Sequence, residues 1–375
     1  MTQIHGRCDE KFAAVQEQFE KNFAEGDVGA SVALSVEGEM VVDIWGGFAD
    51  RAKTKPWEEN TIVNVYSTTK TMAAQCALLL ADRGQLDLYA PVSKYWPEFA
   101  QNGKESVEVR HFMSHSAGLS GMDEPMQGEA FYDWERVVEA LAAQAPWWEP
   151  GTASGYHALT QGHLIGEVVR RITGKSIGQF FAEEIAVPLN ADFHIGTGEE
   201  HFDRIGELIP PAAPPGGTGA AKDSILVRTF KNPAIDASAS STPGWRKAEI
   251  PAANGHGNAR SVVRAQTPMA NGGSAFGVDL MSAEGAARIF DKQTDGDDHV
   301  LGVPIVFGMG YGLSSSYLPM GPNEHIGYWG GWGGSTIVVD QDAHLCCSYV
   351  MNKMQDSVLG DPRGFNILQS AYRCL

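Results

Sequence analysis

Strand-like segments near both ends of the chain enclose a middle part with helical periodicity, and this arrangement most narrows the choice of fold. Near the N-terminus, residues 30–47 read as two strands of β-branched residues joined at Glu37-Gly38, which is typical of a hairpin. Near the C-terminus, residues 307–315, 333–340 and 343–353 are again strand-like. The sequence therefore predicts an antiparallel sheet that is flanked by helices and built from both termini.

Helical patterns occupy the part between these strands and both ends of the chain. We predict helices in the following segments: residues 1–26, 67–83 with Gly84 as the stop, 130–144, 160–173, 176–187, and the residues after Pro362. The fold class is α/β in the broad sense that includes α+β. We predict a sheet domain formed by residues 1–86 and 260–375, and a discontinuous, mostly helical domain formed by residues 87–259.

One long segment of the helical part has no clear periodicity. Residues 204–258 read as loop, and the Pro- and Gly-rich run at 209–224 lies at their centre. We expect this segment to form a lid or a wall of the substrate pocket.

Composition excludes several functional classes. The chain has 375 residues, 43% of them hydrophobic, and its 28 Lys and Arg against 46 Asp and Glu give a net charge of −18. Such a charge repels phosphate backbones and anionic membrane surfaces, so neither nucleic acid nor a membrane is an expected partner. The sequence shows no apolar span of about 18 residues and no export signal, which predicts a cytoplasmic protein.

The five cysteines do not suggest a metal centre or a disulfide framework. They are odd in number, and Cys346 and Cys347 would point to opposite faces of a strand. We predict reduced thiols, with no metal and no cofactor.

Ser67 and Lys70 are the first candidates for catalysis. A helical i, i+3 spacing stacks the lysine amine one turn from the serine hydroxyl, where it could accept the hydroxyl proton. The alternative is an N-cap serine beside a solvated lysine. Lowering a lysine pKa from about 10.4 to about 7 requires roughly 4–5 kcal/mol, whereas a helix N-terminus supplies only about 0.3–1 kcal/mol. Burial and a second polar partner, such as a tyrosine, would have to supply the rest.

Residues 45–99 strongly resemble the opening of class C β-lactamases and of the family VIII carboxylesterases that share their fold. Three motifs carry the resemblance: Trp45-Gly46-Gly47, Ser67-Thr68-Thr69-Lys70 and Lys94-Tyr95-Trp96-Pro97-Glu98. Residues 110–119 and 150–174 continue it, and 200–250 match least well. The resemblance implies a β-lactamase-like fold and a serine hydrolase that uses an acyl-enzyme intermediate.

The resemblance also implies the remaining site residues. The Tyr-x-Asn motif of the lactamases corresponds here to Tyr156-His157-Ala158, so the tyrosine is kept and the asparagine is not. The Lys-Thr-Gly motif is replaced by Trp329-Gly330-Gly331, and the family places an oxyanion donor at the N–H of Trp332, opposite that of Ser67. We expect the strand glycines to let a ligand approach the backbone, while a packing role for Trp329 or Trp332 stays open.

Two other motifs are weaker candidates. Gly174-Lys175-Ser176-Ile177-Gly178 matches the nucleophile elbow of α/β-hydrolases, but a predicted helix precedes it, and Ser176 with Gln179 forms a capping box instead. The glycine-rich run at 254–261 lacks the strand and spacing of a dinucleotide site, and it resembles the family segment that borders the active site before a helix. Pro268 is unexpected within that helix.

The sequence favours a carboxylesterase that hydrolyses small carboxylic esters through Ser67, with Lys70 and Tyr156 as the base. The loss of the family's lysine at Trp329 argues against recognition of an anionic β-lactam. A β-lactamase, a D,D-peptidase-like amide hydrolase, an acyltransferase and a non-catalytic scaffold remain alternatives. The sequence leaves open the acyl chain, the alcohol, the stereoselectivity, the primary base and whether the chain forms a homo-oligomer.

Overall fold

The computed structural model describes residues 2–211, 221, 223–356 and 360–375. Its strands are β1 Ile4–Cys8, β2 Gly29–Val36, β3 Glu39–Gly47, β4 Val63–Asn64, β5 His256–Gly257, β6 Ser274–Ala275, β7 Val278–Asp279, β8 Thr294–Asp297, β9 Pro304–Phe307, β10 Gly312–Leu313, β11 Ile326–Gly330, β12 Thr336–Asp340 and β13 Leu345–Met351.

Nine of these strands form one antiparallel sheet in the order β1-β3-β2-β13-β12-β11-β10-β9-β8. The two ends of the chain meet at its centre, where β2 pairs with β13 from Val36 opposite Leu345 to Ala30 opposite Met351. The predicted sheet from both termini is therefore confirmed. β4 pairs with β5, and β6 pairs with β7, as two separate ribbons.

The helices are α1 Ala13–Ala24, α2 Thr69–Asp82, α3 Val109–Met113, α4 Trp134–Ala143, α5 Thr160–Thr173, α6 Ile177–Phe181, α7 Ile225–Lys231, α8 Pro243–Lys247, α9 Ala259–Ala270, α10 Ala283–Ala287 and α11 Pro362–Tyr372. No helix in the described part of the chain is both long and apolar enough to cross a membrane.

The sheet separates two helical layers. Cys346 points toward α9, where its thiol lies 3.8 Å from the carbonyl of Val263, whereas Cys347 lines a cavity beneath α11. The two neighbours therefore face opposite sides, as predicted, and all five cysteines are free thiols. The helix α2 lies between α9 and α5, which places the start of α2 where the sheet meets the helices of the middle part.

Several predicted elements need correction. Residues 4–8 form the edge strand β1 rather than part of a helix; an edge strand with mostly exposed side chains lacks the apolar alternation that would reveal it. Residues 204–258 are not all loop, because they contain α7, α8 and β5. Within 307–315 only Gly312–Leu313 and the end of β9 are strand. The centre of the predicted lid or pocket wall, residues 209–224, lies largely outside the described residues. The division of the chain at residues 87 and 260 stays a prediction.

Candidate active site

Ser67 occupies a short 3₁₀ turn, Tyr66–Thr68, that leads into α2. The regular α-helix begins at Thr69, two residues later than predicted. From residue 61 to residue 80 every side chain is buried except that of Ser67, which is partly exposed. The backbone of Tyr66 has a φ of 44°, in the left-handed region that non-glycine residues seldom adopt. Such backbone strain beside a partly exposed serine is typical of a functional turn.

The amine of Lys70 lies in a buried cage of three oxygen atoms. Its Nζ is 3.2 Å from Ser67 Oγ, 2.7 Å from the carbonyl of Ala158 and 2.8 Å from the carbonyl of Ala252. The side chain is 1% exposed, and burial holds the lysine pKa well below its ordinary value. The alternative of a solvated lysine is therefore wrong.

This set of partners suits an uncharged amine. A neutral Nζ has two N–H donors, which the carbonyls of Ala158 and Ala252 accept, and one lone pair, which can accept the hydroxyl proton of Ser67. The two carbonyls therefore direct the lone pair toward the serine.

Tyr156 completes the group on the other side of the serine. Its hydroxyl is 2.6 Å from Ser67 Oγ, and its ring centre is 4.7 Å from the Nζ of Lys70. Burial raises the pKa of the phenol, so this hydroxyl carries its proton at neutral pH. The three residues that the sequence singled out are thus brought together, although they span 89 positions between Ser67 and Tyr156.

Two histidines that could be considered as alternative bases, His157 and His325, lie outside this group. His157 is buried and uses both ring nitrogens: Nδ1 is 2.6 Å from the carbonyl of Gly155, and Nε2 accepts the N–H of Leu119 at 3.1 Å. Burial lowers its pKa to about 3. His325 is half exposed and contacts Asp342 at 2.9 Å. Their contacts therefore make structural roles the simplest explanation of both residues.

Trp329 is buried in β11 and faces the tyrosine. Its indole Nε1 is 3.4 Å from the hydroxyl of Tyr156, and its ring packs against those of His115 and Phe307. An uncharged ring, with a long hydrogen bond to the phenol, therefore fills the position at which the lactamases carry a cation.

The turn after β11 packs against the strand end before the serine. A Cβ on Gly331 would lie 2.0 Å from the carbonyl oxygen of Val65, so the absence of a side chain at this position lets two backbones meet. Protein backbone therefore fills the side-chain position of Gly331, while the approach of a ligand to these glycines stays a prediction. The next residue, Trp332, packs its ring 5.1 Å from that of Tyr66. Gly331 thereby brings the Trp332 turn beside the Ser67 turn.

Sequence reasoning missed the two carbonyl groups that bind Lys70. Any residue can supply a carbonyl, so Ala158 and Ala252 carry no signal in the sequence. The structure shows how the second is held: Asn64, in β4, donates its amide to the carbonyls of Ala253 and Gly255 at 2.8 and 3.1 Å. The glycine-rich run at 254–261 therefore borders the site, as the resemblance implied.

The competing serine has a structural role. The hydroxyl of Ser176 accepts the N–H of Gln179 at the start of α6 and donates to Glu249 at 2.5 Å. Gly174 ends the preceding helix in the left-handed region, with a φ of 73°. The N-cap at Ser176 is confirmed, but the full capping box is not, because the side chain of Gln179 donates to Glu183 at 2.9 Å instead of to the N-cap backbone. Pro268 is tolerated near the end of α9, which continues to Ala270.

Within the described residues, no group of three or more His, Cys, Asp or Glu side chains is arranged to hold a metal ion.

The chain belongs to the beta-lactamase family, whose sequence pattern matches residues 16–372. A curated relative, the esterase/beta-lactamase LipL of Mycobacterium tuberculosis, is 36% identical over 96% of this chain and 86% of its own length.

Two solved structures are similar over their whole length. A family VIII carboxylesterase is 42% identical, with a TM-score of 0.94, and covers 100% of both chains. A penicillin-binding protein homologue from Caulobacter crescentus is 38% identical, with a TM-score of 0.92, and also covers 100% of both chains. These findings confirm the predicted resemblance and the β-lactamase-like fold.

Proposed function

We propose that this protein is a serine hydrolase that cleaves small carboxylic esters through an acyl-enzyme on Ser67. The observation that carries the proposal is the contact of one partly exposed hydroxyl with two proton-transfer groups, Lys70 at 3.2 Å and Tyr156 at 2.6 Å. Similarity to a carboxylesterase and to an esterase/beta-lactamase supports the same activity.

In the proposed acylation step, Lys70 is the base. Ser67 Oγ attacks the ester carbonyl and forms a C–O bond, while its proton passes to the lone pair of Nζ. The carbonyls of Ala158 and Ala252 then hold the ammonium that results. Burial lowers the pKa of Lys70, which favours the unprotonated amine before attack and favours return of the proton afterwards.

Tyr156 is proposed to relay that proton to the leaving group. Its phenol donates to Ser67 Oγ before attack, and it can pass a proton to the alkoxide as the ester C–O bond breaks, while it receives one from Lys70. Water then enters in place of the alcohol, and the same groups run in reverse to release the acid and restore Ser67.

The negative charge of the tetrahedral intermediate needs donors on the other side of the carbonyl. We propose the backbone N–H groups of Ser67 and Trp332 for this role, since the packing of Gly331 on Val65 brings their two turns together. Trp329 has a different role in this account: it supports the hydroxyl of Tyr156 through its indole N–H.

Uncharged esters are the proposed substrates rather than β-lactams. β11 reads Ile-Gly-Tyr-Trp-Gly and carries no cationic side chain, so it offers no ionic partner for a substrate carboxylate. Slow turnover of a β-lactam stays compatible with the same acyl-enzyme chemistry. The cytoplasmic location stays a prediction from the sequence.

The proposal is tested with p-nitrophenyl esters from acetate to laurate, assayed beside the β-lactam nitrocefin. We expect ester hydrolysis by the native chain and its loss in Ser67→Ala, with Ser176→Ala as the matched control that keeps activity. A fluorophosphonate should label the native protein at Ser67. Ester hydrolysis that survives in Ser67→Ala, or a folded native protein that neither turns over esters nor reacts with the probe, would contradict the proposal.

A further inference from the structure

The backbone that carries Tyr156 is held by two residues from distant parts of the chain. Three successive N–H groups have acceptors: that of Gly155 donates to the carbonyl of His115 at 2.9 Å, and that of His157 to His115 Nδ1 at 3.0 Å. The N–H between them, on Tyr156, donates to Oδ1 of Asp298 at 3.0 Å. No motif considered in the sequence contains Asp298.

Asp298 is buried, and its carboxylate is held in a fixed direction by neighbouring backbone groups. Its side chain is 1% exposed, and Oδ1 also accepts the N–H groups of Val300 at 2.9 Å and Leu301 at 2.8 Å. A carboxylate that binds its own following loop is fixed in direction before it meets Tyr156. The neighbouring His299 adds a second tie, because its N–H donates to the carbonyl of Ser154 at 2.9 Å.

The segment that Asp298 holds, residues 156–158, contacts both Ser67 and Lys70. Tyr156 places its hydroxyl 2.6 Å from Ser67 Oγ, and two residues later the carbonyl of Ala158 accepts Nζ of Lys70 at 2.7 Å. A displacement of this segment would therefore lengthen both contacts together. Reactions that depend on such alignment lose about 10²-fold in rate for a misplacement of about 1 Å.

We propose that Asp298 is a positioning residue for ester hydrolysis, which aligns Tyr156 and the Lys70 cage through the backbone N–H of Tyr156. The inference rests on the proposed function. Asp298 touches neither the nucleophile nor the substrate in this account. It acts as a hydrogen-bond acceptor, and its negative charge is not needed for that role.

Two substitutions separate the acceptor from the charge. Asp298→Asn keeps an oxygen at Oδ1, so kcat should stay within about threefold of native. Asp298→Ser can still cap the N–H groups of Val300 and Leu301 through a local turn, but its hydroxyl is too short to reach Tyr156. Here kcat should fall by about 10- to 100-fold with little change in KM, because alignment and not binding is lost.

A matched control is available at Asp340. This carboxylate is also fully buried and also accepts a backbone N–H, that of Ala343 at 2.9 Å, but at the end of β12 away from the proposed site. Asp340→Ser should therefore lower stability without lowering kcat per active molecule, with active molecules counted by fluorophosphonate labelling.

The outcomes are decisive in each direction. A kcat close to native in Asp298→Asn, together with a reduced kcat in Asp298→Ser, would support the proposal. A native kcat in folded Asp298→Ser, or an equal loss in both variants, would overturn it. Native protein and Ser67→Ala are assayed beside these variants. If the esterase proposal fails, the native protein itself is inactive, and this result differs from a failure of the Asp298 proposal alone.

Discussion

Two lysines in this molecule have almost no exposed surface, and only one of them lies at the candidate active site. Lys70 and Lys104 are each 1% exposed, and each ammonium position faces an aromatic ring, at 4.7 Å from Tyr156 and 5.0 Å from Phe99. Burial lowers both pKa values, that of Lys104 to about 8 and that of Lys70 well below its ordinary value. Burial alone therefore does not distinguish a base from a structural cation.

Their partners distinguish them. Lys104 Nζ contacts three carbonyl oxygens, those of Gln101 at 3.0 Å, Ala142 at 2.9 Å and Gln144. A carbonyl can only accept, so three of them call for the three N–H groups of an ammonium, and two of them lie where α4 ends and the helix dipole favours a cation. At Lys70 the third partner is the hydroxyl of Ser67, which can donate to a neutral amine. The third hydrogen-bond partner of Nζ therefore distinguishes the proposed base from the structural cation.

The largest effect should follow substitution of Lys70. We expect Lys70→Ala to reduce kcat by at least about 10²–10³, as the loss of a general base does. Lys70→Arg should fail nearly as badly, because a guanidinium keeps its proton at working pH and cannot accept one from Ser67. Ester hydrolysis by the purified variants measures both, with circular dichroism as the check on folding. Near-native kcat in Lys70→Arg would reduce Lys70 to an electrostatic support.

Tyr156 should act as one unit with Lys70. Tyr156→Phe should also lower kcat by at least about 10²–10³, and the double variant Lys70→Ala/Tyr156→Phe should lose little more than either single variant. If both groups transfer the same proton, the loss of either one already removes most of their joint effect on kcat. A double-mutant cycle on kcat measures this coupling, and additive losses would indicate two independent roles.

A smaller effect is expected from pH. The working form of Lys70 is the amine, and its lowered pKa brings deprotonation toward neutral pH, so kcat/KM should rise with pH and reach a plateau at mildly alkaline values. The apparent pKa belongs to the coupled group and not to Lys70 alone. A pH–rate profile for a p-nitrophenyl ester tests this, and a rate that falls between neutral and mildly alkaline pH would contradict it.

The smallest effect on the rate should come from Lys104. Lys104→Met fills a similar volume but removes the ammonium donor from three carbonyls, of which that of Gln101 keeps the backbone N–H of residue 104. We therefore expect a loss of about 1–3 kcal/mol in the free energy of unfolding. At the same time kcat should stay within about twofold of native, because no contact joins Lys104 to the site. Urea denaturation and the ester assay measure the two quantities. A large loss of kcat in the folded variant would contradict a purely structural role of Lys104.

Sequence predicts the local parts of this site better than its distant ones. Ser67 and Lys70 share one helical turn, so their spacing alone indicates a contact, whereas Tyr156 could be assigned only through resemblance to a family. Ala158, Ala252 and Asp298 carry no such signal, since two act through the backbone and Asp298 lies 142 positions from the residue that it holds.

The fold shows the same division. The hairpin of β2 and β3 and the helix α5 agree with the sequence prediction, which rests on their β-branched and apolar residues. In the structure β2 is buried along nearly its whole length, and α5 is buried from Thr160 to Val169. For residues 4–8 the sequence predicts helix instead of β1, because the strand is too little buried to show an alternation of apolar and polar residues. The sequence also gives no sign of the packing role of Gly331, which makes room for the carbonyl of Val65 from a distant part of the chain.

The protonation states of Lys70 and Lys104 in the native protein test the account most directly. Carbon NMR of protein labelled at the lysine ε-carbons reports each amine as neutral or charged, and Lys70→Arg and Lys104→Arg assign the two signals. We expect Lys70 to be an uncharged amine at a mildly alkaline pH where the enzyme is active, and Lys104 to be an ammonium at pH 7, below its pKa of about 8. An ammonium at Lys70 throughout the pH range of activity would contradict its role as the base.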